Sequence, residues 1–131
     1  MESVTLFHYH ILDDALHIAY TSRVKELMSK QNDVFYYELD NFSGEDVRNY
    51  AKLLAKESKS IILFIDCKTT TTDQKLATWL NFFLQLKQEK ILVWQGDNAI
   101  IEQMKSAFDN KIKISDLIQL VQQINLQINR S

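Results

Sequence analysis

Proline is absent from this sequence of 131 residues, and glycine occurs only at Gly44 and Gly96. Loops that hold phosphate through backbone amides, as in P-loop and dinucleotide-binding proteins, need several closely spaced glycines. Two glycines so far apart in the chain cannot form such a loop. The same scarcity excludes collagen-like sequences and proline-rich linkers.

Cysteine, long apolar runs and an excess of one charge are also lacking. Cys67 is the single cysteine, which excludes an internal disulfide and favours a reducing, cytoplasmic location. No apolar run approaches the roughly 18 residues of a membrane span, so we expect no membrane partner. The formal net charge of −2 lacks the basic excess typical of nucleic-acid-binding proteins. We therefore expect no nucleic-acid partner.

What the sequence does contain is an alternation of two hydrophobic periods. Runs of β-branched, aromatic and aliphatic residues predict five strands, at 4–11, 34–39, 61–65, 91–94 and 111–114. Apolar residues at helical spacing predict a helix after each strand, within 13–30, 47–54, 76–86, 100–108 and 117–128. In the second helix we expect Ser43 to act as the N-cap of a capping box. The expected buried face of that helix consists of Val47, Tyr50, Ala51 and Leu54.

Five consecutive strand–helix units predict one α/β domain that spans residues 1–131. We expect a three-layer α/β/α sandwich with a five-stranded, mostly parallel sheet, because this alternation is typical of parallel sheets covered on both faces. The third and fourth strands are the most apolar, whereas the fifth alternates charged and apolar residues, as suits a sheet edge. This ranking predicts the strand order 2-1-3-4-5, which is that of flavodoxin-like proteins.

Polar residues are predicted to follow the strands at the end of the sheet where open parallel sheets bind ligands. That position lies beyond the carboxyl ends of the strands, near the point between strands one and three where the strand order reverses. The candidate site residues there are Asp13, Asp14, Asp66, Cys67, Thr69, Thr70 and Asp97. They do not complete a catalytic set, so we assign no catalytic residue and favour a protein that is not an enzyme.

Three of these acids resemble the acidic pocket of response-regulator receiver domains, which share the expected fold and length. The resemblance implies that Asp66 accepts a phosphoryl group and that Asp13 and Asp14 bind Mg²⁺, a cation that prefers carboxylate ligands. The alternative interpretation is that Asp13 and Asp14 cap the first helix and stabilise its positive end.

The loop from Thr69 to Asp73 is a second candidate binding site. Hydroxyl groups at a helix N-terminus can bind phosphate together with free backbone amides, or they can simply cap the next helix. Cys67 would be a nucleophile only if its pKa were lowered, and it is otherwise a small buried apolar residue. A small ligand-binding domain or enzyme that uses this loop is therefore an alternative function.

His8 and His10 stand two positions apart, so both imidazoles lie on one face of the first strand. They could bind one metal ion with Asp13 or His17 as a third ligand, or they could be hydrogen-bonded structural histidines. We favour the structural role, and the sequence predicts no metal ion and no cofactor. Asp13, Asp14 and Asp66 are the candidate ligands if a metal ion does bind.

The third and fifth predicted helices carry more apolar residues than a single buried stripe needs. Phe82 and Leu84 on the third helix, and Ile118 and Ile128 on the fifth, are the interface candidates. Together with the incomplete catalytic set, this excess favours a non-enzymatic regulatory or protein-interaction module. Its partner would be another protein or a second copy of the chain in a homodimer.

Overall fold

The structure is a computed structural model that describes residues 4–13, 33–72 and 74–130. The first predicted helix, over 13–30, lies outside these ranges apart from Asp13. Asp14, His17 and Asp73 lie outside the described residues as well.

Five parallel strands form one sheet in the order β2-β1-β3-β4-β5. The strands are β1 (Val4–Ile11), β2 (Val34–Asp40), β3 (Ser60–Cys67), β4 (Glu89–Gln95) and β5 (Lys111–Ile114). The predicted strand order and the flavodoxin-like α/β class are therefore confirmed. β3 is longer than predicted, so Asp66 and Cys67 are its last two residues rather than the start of a loop.

Four helices are described around the sheet. They are α1 (Glu45–Glu57), α2 (Gln74–Leu84), α3 (Ala99–Met104) and α4 (Leu117–Arg130). α3 is shorter than predicted, because the chain tightens into a 3-10 helix over Lys105–Ala107. Asn98 is the N-cap of α3, and its side chain accepts hydrogen bonds from the N–H groups of Ile100 and Ile101.

The start and the buried face of α1 differ from the prediction. Gly44 is the N-cap, and the Ser43 hydroxyl accepts a hydrogen bond from the N–H of Asp40 instead. The buried residues of α1 are Ala51, Leu54 and Ala55. Val47 and Tyr50, which we expected on this face, are exposed. An α-helix turns by about 100° per residue, so a buried face centred on Ala51 turns Tyr50 towards the flank.

Two separate sets of side chains bury the two faces of the sheet. Phe7, Tyr9 and Ile11 of β1 project to the side covered by α1, α2 and α3, where Trp79 and Phe83 pack among them. We call this side the α1–α3 face. Full burial of side chains of this size stabilises a fold by about 1.5–3 kcal/mol each.

The opposite side, which we call the α4 face, is mainly aliphatic. Val4 and Leu6 of β1 project to it, and Leu120 and Ile124 of α4 pack on them and their neighbours. Side chains alternate along a strand, so the row that begins with Val4 and Leu6 continues with His8 and His10. The α4 face therefore changes from apolar to polar towards the carboxyl ends of the strands.

Gly96, in the turn after β4, should tolerate no side chain. Its φ is +92°, in the region that favours glycine. A Cβ at this position would overlap the carbonyl oxygen of Cys67 and lie 2.9 Å from the Cys67 Cβ. We expect Gly96→Ala to lower the free energy of unfolding by at least about 2 kcal/mol. Urea denaturation followed by circular dichroism measures this loss.

Gly44→Ala is the matched control for that substitution. Gly44 has φ −78°, and a Cβ there would meet no atom within 4 Å. We expect a change of less than about 1 kcal/mol at this N-cap. Equal losses in the two variants would show that neither backbone conformation nor contact with Cys67 explains the glycine at position 96.

Candidate functional site

The register of three neighbouring strands brings polar side chains together at the end of the α4 face. His8 of β1 is in register with Glu38 of β2, and His10 is in register with Asp66 of β3. Because the strands are parallel, these positions all lie near the carboxyl ends. We call the group the strand-end cluster; it consists of His8, His10, Tyr36, Glu38, Asp66 and Lys68.

His8 is fully buried and hydrogen-bonded at both ring nitrogens. Its Nε2 lies 3.0 Å from Oδ2 of Asp66, and its Nδ1 lies 2.6 Å from the hydroxyl oxygen of Tyr36. An ionised carboxylate can only accept hydrogen bonds. Nε2–H therefore donates to Asp66, and Nδ1 of the neutral ring accepts from Tyr36.

His10 is equally buried, and its ring stacks on that of His8 with 3.8 Å between centroids. Its Nε2 lies 2.8 Å from Oε2 of Glu38, and its Nδ1 lies 2.9 Å from Nζ of Lys68. A lysine ammonium group has donors and no acceptor, so Nδ1 of His10 accepts from it. The proton of the ring is consequently on Nε2, where it donates to Glu38.

Burial and hydrogen bonding set the charges of the strand-end cluster. Desolvation lowers the pKa of His8 from 6.5 to about 4, although the hydrogen bond with Asp66 acts in the opposite direction. Burial alone would raise the pKa of Asp66 and of Glu38. The hydrogen bonds from His8 and His10, and for Asp66 also the charge of Lys68, hold both carboxyl pKa values below their usual range. The two carboxylates are thus ionised beside a neutral His8.

Three members of the cluster could hold a metal ion. One ring nitrogen from each of His8 and His10 and one carboxylate oxygen of Asp66 lie within 4.8 Å of one another. The sequence identified this histidine pair but proposed Asp13 or His17 as its third ligand. Asp13 is exposed beyond the end of β1, and the acid that completes this group of potential ligands is Asp66.

Glu38 and Tyr36 were missed by the sequence reasoning. Both lie in a strand whose aromatic and aliphatic residues dominate the pattern, and Glu38 alternates with Tyr36 and Val34 on the α4 face. A carboxylate in an otherwise buried row is the signal that could have identified Glu38, because such a group needs a hydrogen-bond donor inside the protein.

The receiver-like interpretation requires Asp66 and an acid after β1 to share one Mg²⁺ ion. Asp66 accepts the hydrogen bond of His8 on the α4 face, and Asp13 is exposed. Asp14 lies outside the described residues. The interpretation therefore stays a prediction.

Cys67 belongs to the other side of the sheet. It is half-buried against the α1–α3 core. Burial, with smaller effects from Asp66 and Asp97, raises the pKa of the Cys67 thiol to about 12. A thiol in this state lacks the thiolate that a nucleophile requires, which favours its interpretation as a small apolar residue.

The remaining described candidates at the strand ends make other contacts or are exposed. Thr69 accepts a hydrogen bond from the N–H of Thr71, and Thr70 is exposed. Asp97 is exposed and pairs with Lys113, with 2.7 Å between Oδ1 and Nζ. A surface cavity of about 610 Å³ is lined by Gln95 and by residues of the α4 N-terminal half such as Leu117 and Val121, rather than by the threonines.

The four predicted interface residues differ in exposure. Phe82 and Leu84 are half-buried against the α1–α3 core, and Ile128 is half-buried against the α4 core. Ile118 is 69% exposed. The sequence also misjudged exposed residues of α1. Val47 and Tyr50 were expected on its buried face, and Leu53 was not identified as an interface candidate.

Comparison with known proteins adds no relative to this description. No protein-family model matches the chain, and no curated protein or solved structure matches it significantly. Among the helices that the structure describes, none combines the length and apolarity needed to cross a membrane.

Proposed function

We propose that this chain is a non-enzymatic interaction module that forms a homodimer through the outer edge of β2 and the adjoining flank of α1. The observation that carries this proposal is the difference between the two edges of the sheet. The strand order leaves β2 at one edge and β5 at the other. An edge strand presents unpaired backbone N–H and C=O groups, which are a template for pairing with another chain.

β5 carries the features that block such pairing. It has four residues, and the alternating Lys111 and Lys113 are exposed. Inward-facing or flanking lysines and short length are the usual means by which proteins protect a sheet edge. One edge of this sheet is therefore protected against a second strand.

β2 is longer than β5 and lacks its lysines. It has seven residues, its sequence contains no lysine, proline or glycine, and Phe35, Tyr36 and Tyr37 are only partly buried. Its two acids, Glu38 and Asp40, point into their own chain, where Glu38 pairs with His10 and Asp40 is buried. No other described strand pairs with its outer side. Antiparallel pairing of two such strands about a two-fold axis would join two five-stranded sheets into one, which is the mode called β-augmentation.

The flank of α1 supplies an apolar surface beside this edge. Tyr50 is 51% exposed and packs on Tyr37 of β2 with 5.6 Å between ring centroids. Leu53, three residues further along the same helix ridge, is 59% exposed. Aromatic and aliphatic residues of this kind form the centre of protein interfaces.

The charges of α1 fit a second copy of the same chain. The first turn of α1 carries Glu45 and Asp46, and its last turn carries Lys56 beside Glu57. A two-fold axis perpendicular to the helices places the two copies of α1 in opposite directions. Lys56 of one copy then lies on the side of the acidic first turn of the other, which adds an attractive contact.

Light scattering after size-exclusion chromatography tests the proposal. We expect a dimer for the wild-type chain, and we expect Tyr50→Lys and Leu53→Lys each to weaken dimerisation by at least about tenfold, since each change occurs twice in a two-fold interface. Ile118→Lys is the matched control, because Ile118 is even more exposed but lies on α4. It should leave the dimer intact.

Hydrogen exchange distinguishes the edge from the rest of the surface. Amides of β2 should become more protected as the protein concentration rises, and amides of β5 should not change. A chain that stays monomeric at all concentrations overturns the proposal, and so does a dimer that dissociates with Ile118→Lys but not with Leu53→Lys.

A further inference from the structure

We propose that the strand-end cluster binds one divalent transition-metal ion of the Zn²⁺ class through Nε2 of His8, Nδ1 of His10 and a carboxylate oxygen of Asp66. This inference is independent of the proposed dimer. It departs from the expectation that the chain holds no metal ion. Three arguments support it: the spacing of the donor atoms, the partners of the other ring nitrogens, and the position of Lys68.

The donor atoms have the spacing of a tetrahedral site. Bonds of about 2.0–2.1 Å from zinc to nitrogen or oxygen place neighbouring ligand atoms about 3.3 Å apart. Oδ2 of Asp66 lies 3.0 Å from Nε2 of His8 and 3.8 Å from Nδ1 of His10, and one ligand atom from each of the three residues lies within 4.8 Å of the others. The two imidazoles stack with 3.8 Å between their centroids, and a metal bonds each ring nitrogen in the plane of its ring. Binding therefore requires the rings to rotate out of this stack until both nitrogens point to one ion.

The second nitrogen of each ring has the partner that metal-binding histidines usually have. Such histidines donate their other N–H to a carboxylate or a comparable acceptor, which fixes the orientation of the ring. Nε2 of His10 contacts Glu38, and Nδ1 of His8 contacts the Tyr36 hydroxyl. The Tyr36 hydroxyl is also within hydrogen-bonding reach of Glu38. With metal on Nε2, His8 can donate from Nδ1 to Tyr36, and Tyr36 can turn its single hydroxyl proton from His8 to Glu38.

Lys68 lies where a cation would bind. Its ammonium nitrogen is 2.9 Å from Nδ1 of His10 and 4.0 Å from Oδ2 of Asp66. The Lys68 side chain is 43% exposed, so it can turn into solvent and leave both donor atoms to a metal ion. The ammonium group thus neutralises Asp66 in the metal-free protein and competes with the metal.

The donor set indicates which ions the site would take. Two imidazoles and one carboxylate suit Zn²⁺, Co²⁺ and Ni²⁺, whereas Mg²⁺ and Ca²⁺ prefer sites made of oxygen ligands. Three protein ligands leave a fourth position, which would open towards Lys68 and solvent. We therefore expect Zn²⁺ to bind and Mg²⁺ not to compete with it.

Titration of the chelator-treated full chain with Zn²⁺ alone tests this inference. Isothermal calorimetry should find one ion per chain, and Co²⁺ should give the intense visible absorption of a tetrahedral complex. Asp66→Asn should weaken Zn²⁺ binding by at least about a hundredfold, since it removes a direct ligand. Asp97→Asn, which alters an exposed acid elsewhere at the strand ends, should not change it.

Lys68→Met keeps the test decisive if a variant of the buried residues does not fold. This side chain reaches solvent, and its removal takes away a competing positive charge, so binding should become tighter by at least about tenfold. Failure of the wild type to bind one Zn²⁺ overturns the inference. Binding that neither Asp66→Asn nor Lys68→Met changes also overturns it, since the ion would then lie elsewhere on the surface.

Discussion

Acidification from pH 7 to pH 4 should lower the free energy of unfolding of the metal-free protein by about 3 kcal/mol through His8 alone. Burial lowers the pKa of His8 in the folded chain from 6.5 to about 4. Below the ordinary pKa, the unfolded chain takes up a proton that the folded chain does not. The stability is therefore fully present above pH 6.5 and is lost progressively as the pH falls towards 4.

Urea denaturation at a series of pH values, in the presence of a chelator, measures this loss. Asp66 and Glu38 face His8, and their lowered pKa values add a further loss, but that loss begins only in the ordinary carboxyl range near pH 4.5 and below. The window between pH 6.5 and about 4.5 thus reports on His8. His8→Gln should flatten the pH profile there, and an unchanged profile in that variant would refute the explanation.

Trp79→Ala should destabilise the protein by about 3–5 kcal/mol, which is the usual cost of removing a large buried aromatic side chain. Trp79 is almost completely buried at the centre of the α1–α3 face. Its ring lies 4.7 Å from that of Phe83, 5.6 Å from that of Tyr9 and 5.8 Å from that of Phe7, measured between centroids. The cavity left by alanine would remove support from all three rings.

Trp79→Phe is the informative companion variant. The Nε1 group of Trp79 has no hydrogen-bond partner in the described part of the chain, and an unsatisfied buried donor costs about 1–3 kcal/mol. Phenylalanine loses some packing but also removes this donor. We expect its unfolding free energy to stay within about 1.5 kcal/mol of the wild type. A loss as large as that of Trp79→Ala would show that ring size alone determines the effect.

The strand order could be predicted because it follows from the composition of individual strands. The run 61–65 is apolar at every position, as expected for a central strand, and the sequence of β5 alternates lysine and isoleucine, as expected for an edge. These patterns depend on local sequence. They led to the correct strand order.

The composition of the strand-end cluster could not be predicted in the same way, because it depends on register. His10 faces Asp66 only because β1 and β3 pair with His10 in register with Asp66. A shift of one residue would move Asp66 to the α1–α3 face and bring Cys67 to the histidines instead. No local pattern in the sequence sets this offset between residues 56 positions apart.

The exposure of Tyr50 illustrates a second limit of sequence patterns. Tyr50 adjoins Ala51, and the helical spacing of the apolar residues is compatible with a buried face on either side of Ala51. The prediction placed Tyr50 on the buried face. The packing of the small residues Ala51 and Ala55 on the sheet fixes the rotation of α1. That rotation leaves Tyr50 on the flank, where it contacts Tyr37.

The division of the core into two faces determines what optical methods can detect. Both tryptophans of the chain, Trp79 and Trp94, belong to the α1–α3 face, whereas the buried residues of the α4 core are aliphatic apart from Phe64. Tryptophan fluorescence therefore reports on one layer of the sandwich. Detachment of α4 from the sheet would leave the emission of both tryptophans unchanged. The unfolding of α4 is therefore followed with probes of the backbone, such as far-ultraviolet circular dichroism or hydrogen exchange.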